Sequence, residues 1–478
     1  MTDSVIATLI AVAVYIAELV GVGLAIARKR DTQSAIAWSL AILFIPVLGL
    51  VGFLIFGLER VPSRLKRKAQ QARNVRDRYR KALTESQSIP TLEARRGWQG
   101  MNLLAENAGA PPLMGGNEVK LLDHGQPAFD SIVEVVRNAK HHVHVEEYIF
   151  RDDRLGRELL DAMIERARAG VKVRLLVDAL GSFGNWRLLR RLKNAGGEGM
   201  VFMPLLPFSK AFSPNMRNHR KIIVVDGHTG FLGGLNVGEE YVGRRFSNRH
   251  WADAHLLIRG PVVREIQRVF LEDWDFAAGT FLEGTEYFPT PPVAGKSRVQ
   301  ILSGGPDDEK NSLRLAYFAA ITSADKNVKI ATPYLVPDLA MREALKTAAM
   351  RGIDVTILTQ GKPPDSWLTY WASRYYWDEL LAAGVKIYEY KRGMMHAKML
   401  LADNEWATIG SANLDNRSLR LNFEVAATMD APEDIEVCYA RFADDLKRSR
   451  QIKLKAFKKR GLKARALEEV ARMAAPLL

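Results

Sequence analysis

The stretch MHAKMLLADNEWATIGSANLDNRSLRLNFE, residues 395–424, contains a histidine, a lysine and an aspartate at H-x-K-x-x-x-x-D spacing. These residues are His396, Lys398 and Asp403, and they fall on a short apolar run that predicts a buried strand. Alternation along such a strand places His396 and Lys398 on one face. Because burying an unpaired charge is costly, an ammonium beside an imidazole indicates a site for an anion such as a phosphate diester.

Polar residues follow this predicted strand at two places. Gly410-Ser411-Ala412-Asn413 offers small hydrogen-bond donors at a turn. Asn422-Phe423-Glu424 comes next, and we expect Glu424 to bring a carboxylate back toward the imidazole of the same motif.

The same pattern occurs earlier in the chain. Asn218-His219-Arg220-Lys221 leads to Asp226, then comes Gly233-Gly234-Leu235-Asn236, and Trp251-Ala252-Asp253 supplies an acid. The alternative is two solvated strand edges that happen to carry His and Lys. Two copies that share the triad, the turn and the trailing acid instead predict a duplicated catalytic half-site.

The composition is that of a folded chain with an anionic partner. The 478 residues allow two or three domains, and the hydrophobic fraction of 47% excludes large-scale disorder. The net charge of +14 favours nucleic acid or an anionic membrane surface without separating them. The single cysteine, Cys438, excludes an internal disulfide framework and a cysteine-rich zinc site.

The N-terminal region predicts a transmembrane helical hairpin. Val5 to Ala27 is an apolar run of 23 residues broken only by Glu18, and Ser34 to Leu58 is an uncharged run of 25 residues. Each exceeds the ~20 residues that a spanning helix needs. A cleaved signal peptide fits less well, because Met1-Thr2-Asp3-Ser4 lacks basic residues and the run is too long. For Glu18 we retain two interpretations, a functional residue or a hydrogen bond to the second span.

Two basic segments flank the rest of the chain. Arg60 to Lys81 has ten Lys or Arg and one acid, which places it on the cytoplasmic side and near anionic headgroups, although the basic hairpin loop argues for the opposite orientation. A solvated linker is the alternative. Leu446 to Arg460 has eight Lys or Arg and no acid, which fits either a basic segment on a membrane or a solvated helix face.

The aromatic stretch Trp367 to Trp377 fits helix packing better than lipid contact.

Between these segments the chain repeats one α/β order. Strands at Val119 to Asp123, His142 to Phe150 and Lys172 to Asp178 alternate with helices, and Val299 to Leu302, Val328 to Tyr334 and Asp354 to Leu358 repeat that order. Each half ends with its own motif. We therefore predict a membrane hairpin (1–58), a basic linker (59–102), two homologous lobes in a pseudo-two-fold arrangement (103–286 and 297–445) and a basic tail (446–478).

Two facing half-sites would place both histidines around one phosphorus. A neutral imidazole can attack it and form a phosphohistidine, while the protonated partner donates to the leaving alkoxide. The positive charge and hydrogen bonds for the phosphoryl oxygens would come from five residues: Lys221, Lys398, Asn236, Ser411 and Asn413. This chemistry requires no metal or other cofactor.

These motifs resemble those of the phospholipase D superfamily, whose hallmark is the duplicated H-x-K-x-x-x-x-D motif found here at His219 and His396. Within it the chain is similar to the bacterial cardiolipin synthases. Further matching segments are Pro46-Val47-Leu48-Gly49 in the second span, Arg259-Gly260-Pro261, and Ala475-Pro476-Leu477-Leu478. The resemblance implies condensation of two phosphatidylglycerols to cardiolipin with release of glycerol.

The resemblance also implies residue roles. His219 would be the nucleophile and His396 the acid and base, and Asp253 and Glu424 would orient the histidines. Asp226 and Asp403 belong to the catalytic motifs with a structural role. The first half departs from the family pattern at Gly234, where the second half has Ser411, so one hydroxyl is missing on that side.

The partners implied are the bacterial inner membrane, with the catalytic domain on its cytoplasmic side, and anionic phospholipid. A homo-oligomer stays open. The rival interpretations are a hydrolysing phospholipase D, a synthase with phosphatidylethanolamine as donor, a nuclease and an inactive scaffold. A membrane tether hinders a nuclease, and a scaffold has no need of paired imidazoles.

Overall fold

The N-terminal unit is built around one long apolar helix. The computed structural model describes residues 2–29, 32–57, 63–84, 97–122, 125–204, 215–242, 250–280, 282, 285–289, 292–308, 310–475 and 478. The chain forms two compact units, Met1–Lys66 and Arg67–Leu478. Helix α1 (Thr2–Arg28) includes Val5–Arg28, with a mean hydropathy of 2.4. At 24 residues, Val5–Arg28 is long and apolar enough to cross a membrane.

The second predicted span is interrupted, so the prediction of one continuous second helix is wrong. It consists of α2 (Thr32–Phe44), α3 (Leu48–Gly52) and a π-helical segment at Phe53–Gly57. Pro46 lacks a backbone N–H and cannot continue the hydrogen-bond ladder of a helix. The N–H of Val47, freed at this break, donates to the Glu18 carboxylate at 3.2 Å. Of the two interpretations of Glu18, the structure therefore shows the hydrogen bond to the second span.

Two helices precede the first strand of the second unit. Helix α4 (Ser63–Thr84) carries most of the basic linker, and its Lys68 is almost fully buried. Helix α5 (Gln99–Asn107) packs in the core of the second lobe, with Trp98 stacked on Trp406 at 5.8 Å. The predicted boundary at residue 103 therefore falls inside a helix that packs on the second lobe.

The first lobe contains the first motif and begins at β1. Its strands are β1 (Met114–Leu122), β2 (His142–Glu147), β3 (Lys172–Asp178), β4 (Glu198–Phe202), β5 (Lys221–Val225), β6 (Thr229–Gly233), β7 (His250–Ala252) and β8 (His255–Arg259). Its helices are α6 (Gln126–Arg137), α7 (Arg154–Arg168), α8 (Trp186–Asn194) and α9 (Val263–Ala278). The apolar faces of α6 and α7 cover the sheet and form the core with Leu175 and Ile223.

The second lobe repeats this plan. Its strands are β9 (Ser297–Gly304), β10 (Asn327–Ala331), β11 (Leu335–Val336), β12 (Asp354–Thr359), β13 (Lys386–Tyr390), β14 (Gly393–Met395), β15 (Met399–Ala402), β16 (Trp406–Gly410), β17 (Leu414–Asp415), β18 (Glu424–Met429) and β19 (Ser449–Ile452). Its helices are α10 (Ser312–Ser323), α11 (Leu339–Met350), α12 (Trp367–Tyr375), α13 (Trp377–Ala382), α14 (Pro432–Lys447), α15 (Leu454–Lys458) and α16 (Leu462–Arg472).

The two lobes share one mixed sheet with mirrored strand order. Fifteen strands follow the order β19-β13-β12-β10-β15-β16-β18-β9-β1-β8-β6-β5-β2-β3-β4. From the antiparallel β1–β9 pair outward, β8-β6-β5-β2-β3-β4 on one side corresponds to β18-β16-β15-β10-β12-β13 on the other. This correspondence confirms the predicted pair of homologous lobes and their pseudo-two-fold relation.

The basic segment after residue 446 is part of the second lobe. Strand β19 pairs antiparallel with β13, and Phe457 of α15 packs on Trp377 with ring centroids 5.6 Å apart. Glu468 of α16 forms ion pairs with Arg374 and Arg460. These residues were predicted to form a separate tail. In the structure they add a strand to the sheet and helices that pack on the second lobe.

Candidate active site

The two motifs lie at equivalent positions on the shared sheet. Strand β5 runs antiparallel to β2 with Lys221 opposite Glu147, so His219 lies just before β5 at the carboxyl end of β2. Strand β15 runs antiparallel to β10 with Met399 opposite Ala331, which places His396 at the carboxyl end of β10. Each motif therefore lies at the sheet edge where the parallel strands of its lobe end.

His396 and Lys398 precede a strand instead of lying on one, so the predicted reason for their proximity is wrong. The backbone N–H groups of His396 and Ala397 donate to the carbonyl oxygen of Ala252, at 2.7 and 3.1 Å, and β15 begins at Met399. The two side chains still meet. Lys398 Nζ lies 2.9 Å and 3.1 Å from the two ring nitrogens of His396.

Each histidine is oriented by a carboxylate from the other lobe. Both Glu424 oxygens lie 3.0 Å from His219 Nδ1, and Asp253 Oδ2 lies 2.7 Å from His396 Nδ1. The expectation that Glu424 returns to the imidazole of its own motif is therefore wrong.

Backbone contacts between the lobes explain this exchange. The N–H of His219 donates to the carbonyl of Phe423 at 2.9 Å, so the first motif lies beside the segment that leads to Glu424. On the other side β7 pairs in parallel with β14, with Ala252 opposite Met395. His396 follows β14 directly and meets Asp253, which follows β7. The lobes thus complete each other's half-sites.

Burial keeps both imidazoles neutral. His219 is 8% exposed and His396 is 5% exposed. Burial lowers the pKa of His219 to about 4, with Glu424 acting in the opposite direction and Lys221 adding to the decrease. Burial and then Lys398 lower the pKa of His396 to about 4, against the opposing effect of Asp253.

The two lysines are buried cations in the same site. Burial lowers the pKa of Lys221 to about 7 and that of Lys398 to about 8, although Glu424 favours the charged form of Lys221 and Asp253 that of Lys398. The two cations also repel, since Lys398 lowers the pKa of Lys221. A bound anion would relieve this repulsion, so the electrostatics favour a negatively charged ligand between them.

The carboxylates remain ionised in this environment. Burial alone would raise the pKa of Asp253, but Lys398 and His396 lower it below its usual value. The pKa of Glu424 is also lowered, because His219 and Lys221 outweigh the effect of burial. An ionised carboxylate beside each Nδ1 favours the tautomer with its proton on Nδ1, and Nε2 of His396 also lies 3.1 Å from Lys398 Nζ.

The predicted substrate-binding amides have free acceptor atoms. Within the described residues, the side-chain oxygens of Asn236 and Asn413 are buried without a hydrogen-bond partner. Asn236 Nδ2 donates to the Tyr241 hydroxyl at 2.6 Å. The two amides thus occupy equivalent turns, and each has a side-chain oxygen free to accept a hydrogen bond from a ligand hydroxyl.

Ser411 supports the carboxylate in addition to its predicted role. Its hydroxyl donates to Glu424 and also lies near the backbone of Val425. At the equivalent position of the first lobe, a Cβ on Gly234 would lie 2.1 Å from Asp253 Oδ1. The hydroxyl missing from the first half therefore corresponds to space occupied by Asp253.

The motif aspartates Asp226 and Asp403 bind backbone and not the histidines. Asp226 accepts hydrogen bonds from the N–H groups of Lys140, His141 and His142 at 2.8–2.9 Å. Asp403 accepts equivalent bonds from the N–H groups of residues 325–327 at 2.7–2.9 Å. Each aspartate thereby fixes the turn before the strand that its motif borders.

Aromatic residues surround both histidines, and the sequence alone did not indicate a role for them. The Tyr148 ring lies 4.9 Å from the His219 ring, and the Trp251 ring lies 5.1 Å from the His396 ring. The Tyr241 hydroxyl is 3.3 Å from His396 Nδ1. A signal existed for Tyr148, since the internal repeat aligns it with Tyr334.

A buried ion-pair network lies behind the first motif. Arg220 pairs with Asp273 and donates to the backbone carbonyl of Glu424 at 3.2 Å. Lys68 of α4 reaches the same network, with Nζ 2.9 Å from Asp273 and 3.0 Å from Asp307. Burial lowers the pKa of Lys68, but Asp273 and Asp307 outweigh it and raise the pKa above the usual lysine value. The linker helix therefore belongs to the support of the site.

The described residues contain no group of three or more His, Cys, Asp or Glu arranged to hold a metal ion. The groups that converge are two imidazoles, two lysines and several amides and hydroxyls. This set can attack, protonate and neutralise a phosphate diester.

The family comparisons agree with this geometry. Residues 132–274 and 317–446 match the family described as "Cardiolipin synthase, PLD-like domain". Residues 8–57 match the family described as a phospholipase D-nuclease N-terminal region. The two matched domains lie in the two lobes.

Individual relatives match over nearly the whole chain. The cardiolipin synthase of Geobacillus sp. (strain WCH70) is 39% identical over 469 residues, which covers 94% of this chain and 90% of that protein. Cardiolipin synthase 2 of Bacillus anthracis is 38% identical over 465 residues, with 94% and 88% covered. Among solved structures, the phosphatidylserine synthase of Haemophilus influenzae Rd KW20 shares the fold at 15% identity, with a TM-score of 0.58, over 79% of this chain and 100% of that chain. The chain therefore belongs to the cardiolipin synthase family, whose members carry phospholipase D-like domains.

Proposed function

We propose that this chain is a phosphatidyltransferase that makes cardiolipin from two phosphatidylglycerols and releases glycerol. The observation that carries this proposal is the pair of buried His-Lys units, His219-Lys221 and His396-Lys398, whose histidines are each held by a carboxylate of the other lobe. The relatives that span nearly the whole chain support the same reaction.

The first step transfers a phosphatidyl group to the protein. His219 Nδ1–H donates to Glu424, so the Nε2 lone pair attacks phosphorus and forms a P–N bond. The P–O bond to glycerol breaks, and protonated His396 gives its proton to the departing oxygen. The negative charge of the substrate raises the pKa of His396 from its low value, because an anion stabilises the imidazolium.

The second step returns the site to its starting state. A glycerol hydroxyl of a second phosphatidylglycerol attacks the phosphohistidine, and neutral His396 takes the proton of that hydroxyl. The P–N bond breaks, a new P–O bond forms and His219 is released. Since one phosphate diester is exchanged for another, no nucleotide or activated donor is needed.

The cationic groups lower the barrier of both steps. Lys221 and Lys398 are buried, so each acts on the equatorial phosphoryl oxygens with little screening by water. The free side-chain oxygens of Asn236 and Asn413 would accept hydrogen bonds from glycerol hydroxyls of the substrate, and the Ser411 hydroxyl would turn from Glu424 to donate to a phosphoryl oxygen. We assign Asp226 and Asp403 to the support of the motifs and not to contact with substrate.

We further propose a location in the bacterial inner membrane with more than one membrane segment. Helix α1 and the interrupted apolar segment of 32–57 support this, and the basic residues of 60–81 favour a cytoplasmic catalytic domain. The partners are phosphatidylglycerol and cardiolipin, and nucleic acid is not a substrate.

A product assay tests the proposed reaction. Purified protein in detergent receives phosphatidylglycerol as the sole phospholipid, beside the His219→Ala and His396→Ala variants. We expect equal amounts of cardiolipin and glycerol, abolished by either substitution. Phosphatidic acid without cardiolipin would make the protein a hydrolase, and cardiolipin only after addition of phosphatidylethanolamine would change the donor.

A further inference from the structure

Two loops at corresponding positions of the lobes carry exposed apolar side chains. The first rim loop, residues 179–186, comprises the connection after β3 and the first residue of α8. The second rim loop, residues 360–368, comprises the connection after β12 and the first two residues of α12. Both follow the middle one of three parallel strands in their lobe, β2-β3-β4 and β10-β12-β13. The repeat thus produces a pair of related loops and not a single irregular segment.

Both rim loops lie at the catalytic edge of the sheet. Strand β3 runs parallel to β2, so it ends at the same edge as Glu147, which pairs with Lys221. Strand β12 runs parallel to β10 and ends at the edge where His396 precedes β15. A direct bond links the first loop to its motif, since Asp178 accepts from the N–H of Asn218 at 3.0 Å and from that of Leu180 at 2.8 Å.

The exposed side chains of the rim loops are large and apolar. In the first loop Phe183 is 78% exposed and Trp186 is 55% exposed, with Leu180 beside them. In the second loop Trp367 is 51% exposed and Leu368 is 49% exposed. Large apolar side chains are exposed elsewhere too, but here the exposure recurs in corresponding loops of the two lobes at the catalytic edge, and this recurrence indicates a contact surface.

Exposed cations accompany the aromatic rings. The guanidinium groups of Arg187 and Arg190 lie 5.5 Å and 4.8 Å from the ring of Trp186. In the second lobe Lys362 Nζ lies 5.2 Å from the ring of Trp371. The acid of the second loop, Asp365, accepts a hydrogen bond from the Tyr334 hydroxyl. Tryptophan beside basic residues suits the headgroup region of an anionic bilayer, where rings enter the interface and cations meet phosphates.

We propose that the two rim loops form a paired docking surface for an anionic lipid bilayer on either side of the active-site mouth. Leu180, Phe183 and Trp186 from one lobe and Trp367 and Leu368 from the other enter the interface, while Arg187, Arg190 and Lys362 meet lipid phosphates. The inference deepens the proposed function and rests on it for the lipid nature of the substrate. It specifies which surface of the catalytic unit receives that substrate.

Site-specific labelling tests the docking surface without requiring turnover. The full chain is placed in nanodiscs of phosphatidylglycerol and phosphatidylcholine, with Phe183→Cys or Trp367→Cys labelled by bimane. The sole native cysteine, Cys438, is 2% exposed, so labelling is selective. The matched control is Met350→Cys, which is 77% exposed at the end of α11, and the next strand, β12, begins at the opposite sheet edge.

We expect nitroxide-bearing lipids to quench the labels at 183 and 367 at least twofold more than the label at 350, and iodide to show the reverse order. Equal quenching at all three positions would overturn the docking surface. If cardiolipin still forms in that case, the proposed function stands alone. Preferential quenching in a protein that makes no cardiolipin would support docking and remove the proposed function.

Kinetics supply a second test on the same nanodiscs. Phe183→Ser and Trp367→Ser should raise the mole fraction of phosphatidylglycerol needed for half-maximal rate by about fivefold with little change in kcat. Met350→Ser should leave both values unchanged. A fall in kcat alone for the rim-loop variants, with no shift in lipid dependence, would contradict the proposal.

Discussion

The Glu424 carboxylate of the second lobe lies 3.0 Å from Nδ1 of His219 in the first lobe. The relation is reciprocal, because Asp253 of the first lobe lies 2.7 Å from Nδ1 of His396 in the second. Each histidine therefore depends on the other repeat for its tautomer and orientation. A single lobe cannot supply a complete site, which explains why both copies of the motif are intact in one chain.

Glu424→Gln and Asp253→Asn should each lower kcat by about 10- to 100-fold with little loss of stability. The amide keeps the shape of the carboxylate but no longer stabilises the imidazolium or fixes its tautomer. The measurement is the rate of cardiolipin formation together with thermal unfolding. Glu436→Gln, at an exposed position of α14, is the matched control and should retain full activity. Full activity of Glu424→Gln would show that the cross-lobe bond has no catalytic role.

Gly234→Ala should lower activity by displacing Asp253, because the added Cβ would lie 2.1 Å from its carboxylate oxygen. We expect a loss of kcat of at least 10-fold, since misplaced orienting groups cost about that much. Gly100→Ala in α5 is the control, as its Cβ would meet no atom within 4 Å. Crystal structures or kinetics that show an unmoved Asp253 and normal kcat in Gly234→Ala would refute this assignment.

The pH dependence of kcat/KM should report the buried lysines. Burial lowers the pKa of Lys221 to about 7 and that of Lys398 to about 8, so charge is lost as the pH rises through this range and activity falls. The pKa of the nucleophile His219 is lowered to about 4, so His219 should stay neutral and the acid side should stay active well below pH 6. The kcat profile should extend to higher pH than kcat/KM, because a bound anion keeps the lysines protonated.

The Lys398→Arg variant tests whether deprotonation of Lys398, and not of another group, causes the fall of kcat/KM at high pH. A guanidinium stays charged throughout the range, so the part of the decline near pH 8 should disappear even where the maximal rate is reduced. An unchanged alkaline limb in this variant would assign the decline to another group.

Lys68→Met should destabilise the protein and lower kcat. Removal of one partner from a buried ion pair costs about 3–5 kcal/mol, and here it takes the Lys68 ammonium from Asp307 and leaves Asp273 paired with Arg220 alone. Thermal unfolding and the separate values of kcat and KM are the measurements. We expect kcat to fall with KM nearly constant, and Lys68→Arg to restore part of both stability and kcat.

Arg73→Met on the same helix controls for loss of a positive charge. Arg73 is exposed, and among the described residues its side chain bonds Gln70 alone, so its removal should change neither stability nor rate. Equal effects of the two substitutions would show that Lys68 acts only through the general positive charge of the helix.

The sequence allowed the repeat and its central chemistry to be predicted, because both depend on local patterns. The strand Lys172–Asp178 has the predicted bounds, and both motifs reach the same kind of sheet edge. The crossed partners of the histidines were not predictable. They depend on contacts between His219 and Phe423 and between His396 and Ala252, which are distant in sequence.

Other differences have equally specific causes. The prediction of one helix in the second apolar run followed from its length and hydrophobicity, although Pro46 is a sequence signal for a break. The bond from the Val47 N–H to Glu18 left no such signal. Lys68 belonged to a segment interpreted as a solvated or lipid-facing linker. Its burial follows from Asp273 and Asp307, whose pairing with a residue more than 200 positions away leaves no local signal.

The most direct test of the two-half site is to trap its covalent intermediate. A phosphatidyl ester of p-nitrophenol needs no proton donor for departure, so His396→Asn should complete the first step and lack the base for the second. In His396→Asn we expect a burst of one p-nitrophenol per chain and a phosphatidyl adduct on the peptide that contains His219, found by mass spectrometry after alkaline quenching. In His219→Asn we expect neither burst nor adduct. An adduct on His396 in His219→Asn, or full turnover without any adduct, would contradict the assignment of His219 as the nucleophile.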